Sequence, residues 1–417
     1  MPTTTFRAHP VTRIDPAWRS VFADYWPAYS SWYRHAKGDA VNSAELKQAQ
    51  RRLASVMPEI RPLYESLLEV ADDCPVAALF LTGYQPPAYL LNCSQAVLLD
   101  DEPLLIRNYD LSPALSENLV TRSTWLGQDI IGTNECLWGL DDGMNRSGLA
   151  ASLAFGGSSR VGQGFGIPFI MRYLLQTCEN VREGIRLLQR VPSHMAYNVT
   201  LVDRHGDFAT VMLAPGQAAI VTRERCATNH QAQVTWPEQA AFSKTRERKR
   251  LLETLLAGER LDERRLCDAF LEPPLLNTDF RRNFGTVYTA VYRPSSETMS
   301  YLWPAEPAWR HDFAGFRAAL RTVVIGEQAI ATTASARFGA AAQQPATERG
   351  LSADTRRQLL QALVYVPTTA VAEPRALAEL KRSLLGTQPL DWNDFARRMA
   401  EIWRYGAPAP GAAADMN

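Results

Sequence analysis

One cysteine begins a segment whose residue types could perform nucleophilic chemistry. Cys93 opens the apolar run 93–99, a polar turn follows, and the run 104–110 then carries Arg107 and Asp110. Two β-rich runs joined by a polar turn predict a hairpin, which would bring Arg107 and Asp110 back beside Cys93. Because the thiolate is the reactive form of cysteine and a nearby cation favours it, this grouping is typical of an activated nucleophile. The alternative is that Cys93 is a small, buried hydrophobic residue.

The composition limits the classes of protein to which the chain can belong. Its 417 residues include 44 basic and 44 acidic ones, and this balance argues against nucleic-acid binding. No apolar run reaches the roughly 18 residues of a membrane span. The six cysteines lack zinc-ligand spacing and a dense disulfide pattern, so we expect neither a metal nor another cofactor. The N-terminus does not resemble a signal peptide. Together with the scattered cysteines, this indicates a reducing, cytoplasmic location.

The first part of the chain, residues 1–92, is predicted to be a helical segment. Asp15 and Pro16 supply an N-cap followed by proline at the first helical position. Aromatic residues between 18 and 33 recur mostly every three or four positions, which predicts one buried helix face with a kink at Pro27. A second helix is predicted to begin at Ser43.

Strand patterns predominate in residues 93–328, and helical patterns return after them. Two helices are predicted within the strand-rich region, at 167–191 and 242–256. An Ala-rich linker is predicted at 329–350, and a helical extension with a disordered tail at 351–417. The predicted strands are 93–99, 104–109, 149–155, 197–203, 208–213, 217–222 and 286–293.

Ordered motifs give Cys93 a family context. In chain order they are Cys93-Ser94, Arg107-Asn108-Tyr109-Asp110, Gly143-Met144-Asn145-Arg146-Ser147-Gly148-Leu149, Asn198 through Asp203 to Gly206, and Thr228-Asn229-His230. In this order they resemble the acyl-CoA:6-aminopenicillanate acyltransferase family over roughly residues 80–305. That family belongs with choloylglycine hydrolases, penicillin V acylases and acid ceramidase among the N-terminal-nucleophile (Ntn) hydrolases.

The resemblance implies an α+β fold, the four-layer αββα sandwich of Ntn hydrolases, and a precursor that cuts itself between Asn92 and Cys93. The freed α-amine of Cys93 would have a pKa of about 7.7–8.0, close to the roughly 8.5 of a thiol, so it could act as the base without a histidine. Asn92 departs from the family pattern, which has glycine before the nucleophile. Glycine tolerates the strained backbone that assists self-cleavage.

The resemblance also implies roles for residues around the nucleophile. Arg107 would stabilise the thiolate or contact substrate, and Asp110 would orient the Cys93 amine. Asn229 would donate its side-chain amide to the tetrahedral oxyanion, helped by a backbone N–H near Phe155 or Gly156. The structural alternatives are an ion pair between Arg107 and Asp110 and a turn cap at Asn229.

Four further residues are candidates on the same resemblance. Arg246 matches the basic residue that supports the site in relatives, and Arg248 is a near neighbour for the same role. Asn145 and Asn198 are assigned to the pocket; Asn145 also suits a turn, and Asn198 also suits pairing within the sheet. His194 and His230 are interpreted as structural or rim residues.

The leading hypothesis is a self-processing cysteine amide hydrolase or acyltransferase that acts on linear non-peptide amides or acyl thioesters. Its expected partners are a small acyl amide or acyl-CoA substrate and the other cleavage fragment, with a homo-oligomer also compatible with the sequence. The competing hypothesis is a non-catalytic Ntn-fold protein that binds an acyl ligand or a partner and stays uncut. A papain-like peptidase is disfavoured because its cysteine opens a helix, whereas Cys93 opens a strand.

Overall fold

The computed structural model describes residues 3–326, except 15, 39, 73, 114, 259–260 and 281–284, together with residues 379, 380, 382 and 383. The predicted helix cap at Asp15, the predicted linker at 329–350 and nearly all of the predicted extension at 351–417 lie outside these residues. The chain divides into two units. The first comprises Met1–Tyr25 and Val41–Gln343, and the second comprises Trp26–Ala40 and Gln344–Asn417.

The described strands all belong to the first unit. They are β1 (Thr3–Val11), β2 (Asn92–Leu99), β3 (Pro103–Leu111), β4 (Leu119–Ser123), β5 (Ile130–Glu135), β6 (Gly139–Asn145), β7 (Leu149–Phe155), β8 (Tyr197–Asp203), β9 (Phe208–Leu213), β10 (Ile220–Thr222), β11 (Cys226–Ala227), β12 (Gly285–Arg293), β13 (Thr298–Leu302), β14 (Trp309–Asp312) and β15 (Ala319–Val324).

The helices lie in three groups along the chain: between β1 and β2, between β7 and β8, and between β11 and β12. They are α1 (Pro16–Lys37), α2 (Ser43–Val56), α3 (Arg61–Val70), α4 (Pro75–Leu81), α5 (Ile167–Thr177), α6 (Val181–Arg190), α7 (Pro237–Phe242), α8 (Thr245–Ala257) and α9 (Glu263–Phe270). Two 3₁₀ turns lie at Pro58–Ile60 and Trp125–Gly127. Residues 26–37 of α1 belong to the second unit, where the rings of Tyr29 and Trp32 pack edge to face. None of the described helices is both long enough and apolar enough to cross a membrane.

Two sheets face each other in the first unit. The larger has the order β10-β9-β8-β7-β6-β5-β4-β1-β15 and the smaller has the order β11-β2-β3-β12-β13-β14. Strands β2 and β3 pack against β7 and β8, while α5 and α6 pack on the larger sheet and α8 and α9 on the smaller one. The α+β fold class and the αββα sandwich that the resemblance implied are therefore confirmed.

The side chains of β2 alternate between two environments, as the pleat of a strand requires. Gln95 points to the larger sheet, where its side chain bonds Asn198 O and Ser152 Oγ. Ala96 and Leu98 point the other way and join the apolar cluster that α8 and α9 form with the smaller sheet. Cys93 shares the parity of Gln95, so the thiol lies between the two sheets.

The prediction of a helical segment at residues 1–92 omitted a strand. β1 pairs in parallel with β4 and antiparallel with β15, so it lies inside the larger sheet. Thr4, Phe6 and Ala8 are buried along it while Thr3 and Thr5 are exposed, and this alternation was the overlooked sequence signal. The helices predicted after it are present as α1 to α4.

Other boundaries also differ from the predictions. The single helix predicted at 167–191 is two helices, because the chain breaks after Thr177 and the Asn180 side chain caps α6 through Glu183 N. The strands predicted at 149–155, 197–203 and 208–213 match β7, β8 and β9. Strands β4, β5, β6 and β13 to β15 were not predicted, since their short, mixed sequences form strands through pairing with neighbours.

Candidate active site

The predicted hairpin is present and places a guanidinium on the thiol. Cys93 pairs with Tyr109, and Arg107 pairs with Gln95 across β2 and β3. Arg107 is therefore a diagonal neighbour of Cys93 on the same face of the sheet. Its Nη2 lies 3.1 Å from Cys93 Sγ and donates to it. Both side chains are completely buried.

A carboxylate fixes Arg107 from the opposite sheet. Asp142 on β6 accepts a hydrogen bond from Arg107 Nη1, from Thr133 Oγ1 at 2.6 Å, from Tyr288 Oη at 2.8 Å and from Tyr292 Oη at 2.5 Å. Tyr288 also lies 3.2 Å from Arg107 Nη1. A buried ion pair is tolerated when hydrogen bonds satisfy both partners, and this one fixes the guanidinium against the thiol.

Asp110 lies on the other face of the hairpin. It is three residues from Arg107, and an odd separation along a strand places two side chains on opposite faces. Its Oδ1 accepts from Thr286 Oγ1 at 2.7 Å, and its Oδ2 is 3.7 Å from Arg248 Nη1. Burial raises the pKa of Asp110 to about 6, although Arg248 and the Thr286 hydrogen bond lower it. No hydrogen bond in the described chain joins Asp110 to the Cys93 nitrogen.

Asn229 holds the backbone nitrogen of the nucleophile. β11 pairs with β2, which brings the following residues of the chain towards Cys93. Asn229 Oδ1 accepts from Cys93 N at 3.1 Å and from Arg248 Nη2 at 2.6 Å. Arginine can only donate, so the amide oxygen must face it. Asn229 thus makes the contact that the resemblance assigned to Asp110.

Arg248, and not Arg246, is the basic residue beside the nucleophile. Its Nη1 donates to Cys93 O and to Ser94 Oγ, each at 2.7 Å. Arg246 is exposed on the same helix, so its predicted role is corrected. Helical periodicity was the missed signal, since Arg248 recurs with the buried residues Thr245, Leu252 and Leu256 of α8.

The predicted oxyanion donors are already engaged in the uncut chain. Asn229 Nδ2 donates to Phe155 O at 3.3 Å. The N–H of Gly156 donates to Ala196 O at 2.8 Å. A substrate oxygen would have to replace one of these acceptors before either group could stabilise an oxyanion.

Two predicted pocket residues have structural contacts. Asn198 Nδ2 donates to Thr228 O and His230 O, both at 2.9 Å, so it positions the segment that carries Asn229. Asn145 binds carbonyl oxygens at the end of α5 and accepts from Leu149 N at 3.0 Å. The structure therefore assigns Asn145 to the turn alternative and not to the pocket.

The residue before the predicted cut is also fixed. Asn92 is buried, and its Oδ1 accepts from Gln239 Nε2 of α7 at 3.0 Å. Burial raises the pKa of the Cys93 thiol to about 12, although Arg107 opposes the rise. Burial therefore favours the protonated thiol over the thiolate.

Sequence reasoning missed the residues that anchor Arg107. Asp142, Tyr288 and Tyr292 belong to strands that come together only in the folded sandwich. The available signal for this anchor was the pair of adjacent aspartates within a buried strand. Among the described residues, no group of three or more His, Cys, Asp or Glu side chains could hold a metal ion.

Residues 97–308 match the model of one protein family, which is described as acyl-coenzyme A:6-aminopenicillanic acid acyl-transferase. This match covers just over half of the chain. The chain belongs to this family. No curated protein matches it.

Three solved structures are similar to this chain, with low sequence identity and low TM-scores. A mutant of conjugated bile acid hydrolase from Clostridium perfringens has a TM-score of 0.41 and 12% identity, covering 55% of this chain and 96% of its own. Penicillin V acylase from Agrobacterium tumefaciens has a TM-score of 0.37 and 16% identity, covering 55% and 90%. An N-acylethanolamine-hydrolyzing acid amidase ortholog from Caenorhabditis elegans has a TM-score of 0.36 and 15% identity, covering 49% and 93%.

Proposed function

We propose that this chain is a self-processing N-terminal-cysteine enzyme that hydrolyses linear non-peptide amides, or acyl thioesters, through an acyl-enzyme on Cys93. One observation carries the proposal: both reactive groups of the same residue are held. Arg107 Nη2 donates to Sγ at 3.1 Å, and Asn229 Oδ1 accepts from the backbone nitrogen at 3.1 Å. A nucleophile is activated by a neighbouring cation that lowers its pKa and by a base that a third group orients, and these two contacts fit those roles for a thiol whose base is its own α-amine.

Self-cleavage would begin with attack of Cys93 Sγ on the carbonyl carbon of Asn92. A C–S bond forms, the C–N bond to Cys93 breaks, and the thiol proton passes to the departing nitrogen. Water then hydrolyses the thioester, which leaves a carboxylate on Asn92 and a free amine and thiol on Cys93. Gln239 and Arg248 support this step, because they hold the residues on either side of the bond.

Turnover would repeat the same chemistry on a substrate. The Cys93 amine takes the thiol proton, Sγ adds to the acyl carbon, and the protonated amine returns the proton to the leaving amine or thiol. Water releases the acid in the second half of the reaction, and an added amine in its place would make the enzyme a transferase. We favour hydrolysis because water is always present.

The two fragments would stay associated after cleavage. β1 belongs to the fragment 1–92, yet it pairs with β4 and β15 of the larger fragment. Phe6 on this strand is fully buried against Tyr288, Tyr301 and Trp303. Because of these contacts, we propose that the two fragments remain bound to each other after cleavage.

One observation favours the competing hypothesis of a non-catalytic binding protein. Cys93, Arg107 and Asn229 are completely inaccessible in the uncut chain, so no substrate could reach the thiol. A protein that never cuts itself would keep this arrangement permanently. Cleavage of the bond before Cys93 therefore distinguishes the two hypotheses: the enzyme requires it, and the binding protein keeps the bond intact.

Intact-mass spectrometry of the purified protein tests the proposal. We expect two fragments, split between Asn92 and Cys93, from the wild type and from the control variant Cys267→Ala, whose thiol lies on α9. Cys93→Ala should remain one full-length chain. The cut wild type should then hydrolyse acyl 4-nitroanilides, and Cys93→Ala should not. A single full-length mass for all three proteins would overturn self-processing and favour the binding protein.

A further inference from the structure

A tyrosine beside the nucleophile has no part in the mechanism above. Tyr109 pairs with Cys93 across β2 and β3, and it lies two residues from Arg107 on the same strand. Residues that pair across two strands, or that lie two apart along one strand, share a face of the sheet. The side chains of all three residues therefore enter the space between the two sheets, and all three are buried there.

The carboxylate that anchors Arg107 holds its guanidinium at one nitrogen only. Nη1 donates to Asp142 Oδ2, and Tyr288 Oη lies 3.2 Å from the same nitrogen. Nη2 donates to Cys93 Sγ, while Nε has no hydrogen-bond partner among the described residues. A bidentate pair fixes both the position and the orientation of a guanidinium. A contact at one nitrogen leaves the plane of the group free to turn unless something else restrains it.

The ring of Tyr109 supplies such a restraint. The guanidinium carbon Cζ of Arg107 lies over this ring, 4.7 Å from its centre. A cation is attracted by the negative charge on the face of an aromatic ring, and the planar guanidinium group stacks on it. The attraction is strongest where water is excluded, which is the case for these two buried side chains.

Tyr109 is itself held by two neighbours. Its ring stacks on the ring of Tyr288, with centroids 5.2 Å apart and planes inclined by 25°. Its hydroxyl donates to Glu135 Oε2 on β5 at 3.2 Å. Tyr288 also donates to Asp142, so one pair of stacked rings connects the surface beneath Arg107 with the carboxylate that anchors it. The ring of Tyr109 is therefore a fixed surface against which the guanidinium is oriented.

We infer that Tyr109 is a positioning residue for Arg107: the face of its ring fixes the plane of the guanidinium, so that Nη2 donates to Cys93 Sγ. Tyr109 acts on the thiol through Arg107 and makes no contact with the substrate. This inference rests on the proposed function, in which Sγ is the attacking atom. The structural alternative is a tyrosine that only fills space between the sheets.

A series of rings at position 109 tests the inference. Tyr109→Phe keeps the ring and removes the hydroxyl, and phenylalanines with one, two or three ring fluorines keep the shape while weakening the negative face. The alkylation of Cys93 by iodoacetamide is followed in the cleaved proteins by peptide mass spectrometry over a range of pH. Tyr109→Phe should react within about threefold of the wild type, and added fluorines should slow the reaction at pH 7 progressively, by about three- to tenfold in total. The pH profile should move to higher pH in the same order, because Arg107 lowers the pKa of the thiol.

Two controls separate positioning from packing. Arg107→Met removes the cation, so fluorination of the ring should have no effect in that background. The same fluorinated series at Phe313, whose ring centre lies 5.2 Å from Cζ of Arg146, alters another arginine–aromatic pair and should leave the alkylation of Cys93 unchanged. The other charged groups that interact with the thiol are the same in every variant: Asp110, Asp141 and Arg248.

Tyr109→Leu removes the ring and should slow alkylation at least about tenfold. An equal loss in Tyr109→Phe would assign the effect to the hydroxyl bond with Glu135 and overturn the inference. A flat fluorine series would also overturn it, as would the same slope in the Arg107→Met background, and the fluorinated rings give this answer even where Tyr109→Leu does not fold. Each of these results leaves the proposed function standing. A wild type that stays uncut would overturn both.

Discussion

Two buried arginines flank Cys93, and they are held in opposite ways. Arg107 lies between the sheets, where a carboxylate pairs with it and its free nitrogen reaches Sγ. Arg248 lies on the helix side and donates mainly to neutral oxygens: Cys93 O, Ser94 Oγ and Asn229 Oδ1. The first arginine contacts the group that attacks. The second holds the backbone and the amide that position it.

The difference is visible in the proton affinities of the two groups. Burial acts to lower the pKa of both guanidinium groups, but at Arg107 the electrostatic interactions with Cys93, Tyr288 and Asp142 outweigh burial, and the pKa is raised well above its usual value. At Arg248 burial dominates and the pKa is lowered, although Asp110 opposes the change. The comparison indicates that the charge of Arg107 is balanced by a paired carboxylate, whereas Arg248 is held mainly by hydrogen bonds to neutral oxygens.

The largest effect is expected on the helix side. Arg248→Met removes the donor to four oxygens, Ser243 O included, and leaves Asp110 without its cation, so the free energy of unfolding should fall by about 3–5 kcal/mol. Self-cleavage should slow at least about 100-fold, because Asn229 loses its orientation. Urea unfolding and a time course of intact mass measure the two effects.

Arg246→Met is the matched control on the same helix. Its exposed side chain should be replaceable within about 0.5 kcal/mol, with unchanged self-cleavage. Equal effects of the two variants would contradict the assignment of Arg248.

A smaller effect on the chemistry of Cys93 is expected on the thiol side. Arg107→Met removes one charge-assisted hydrogen bond from Sγ, worth about 1.5–3 kcal/mol. It also leaves the buried Asp142 with three hydroxyl donors but without its cation, so the free energy of unfolding should fall by about 3–5 kcal/mol, as for Arg248→Met. Because Arg107 lowers the pKa of the Cys93 thiol, the variant should shift Cys93 alkylation by iodoacetamide to higher pH and slow it about 10–100-fold at pH 7. The pH profile of alkylation of the cleaved protein measures the shift. An unchanged profile would mean that Arg107 serves only to neutralise Asp142.

The smallest effect concerns the pH dependence of stability. The pKa of Asp110 is raised by burial to about 6, so the folded state binds more protons than the unfolded state between pH 4 and 6. Stability contributed by this residue therefore decreases as pH rises, by about 1 kcal/mol between pH 5 and pH 6. Asp110→Asn should remove that decrease relative to the wild type in parallel urea titrations. The opposite sign would show that Arg248 outweighs burial at Asp110.

Sequence patterns predicted much of the fold and the nucleophile itself. The hairpin, the strands at β7, β8 and β9, and the pairing that lays Arg107 beside Cys93 followed from alternation and turn chemistry. The same alternation, carried one step further, would have separated Asp110 from Arg107. Helical periodicity would likewise have favoured Arg248 over Arg246.

Other features depend on neighbours that are distant in sequence. β1 is a strand because it finds partners more than 100 residues away, and no local propensity specifies such pairing. The anchor of Arg107 arises where β6 faces the smaller sheet, because only there do the hydroxyl groups of Tyr288 and Tyr292 reach Asp142. A linear pattern does not contain these contacts.

The sequence by itself determined the chemistry available to this protein: a cysteine at the start of a strand, a guanidinium two pairs along the hairpin, and the ordered motifs of an acyltransferase family. Only the tertiary structure decided which partner each group has. Alternation along strands and helices fixes the direction of a side chain locally, but the depth of burial and the donors that compensate it come from packing two sheets together. For that reason Asn229 holds the nitrogen of Cys93, and Arg248 in turn holds Asn229.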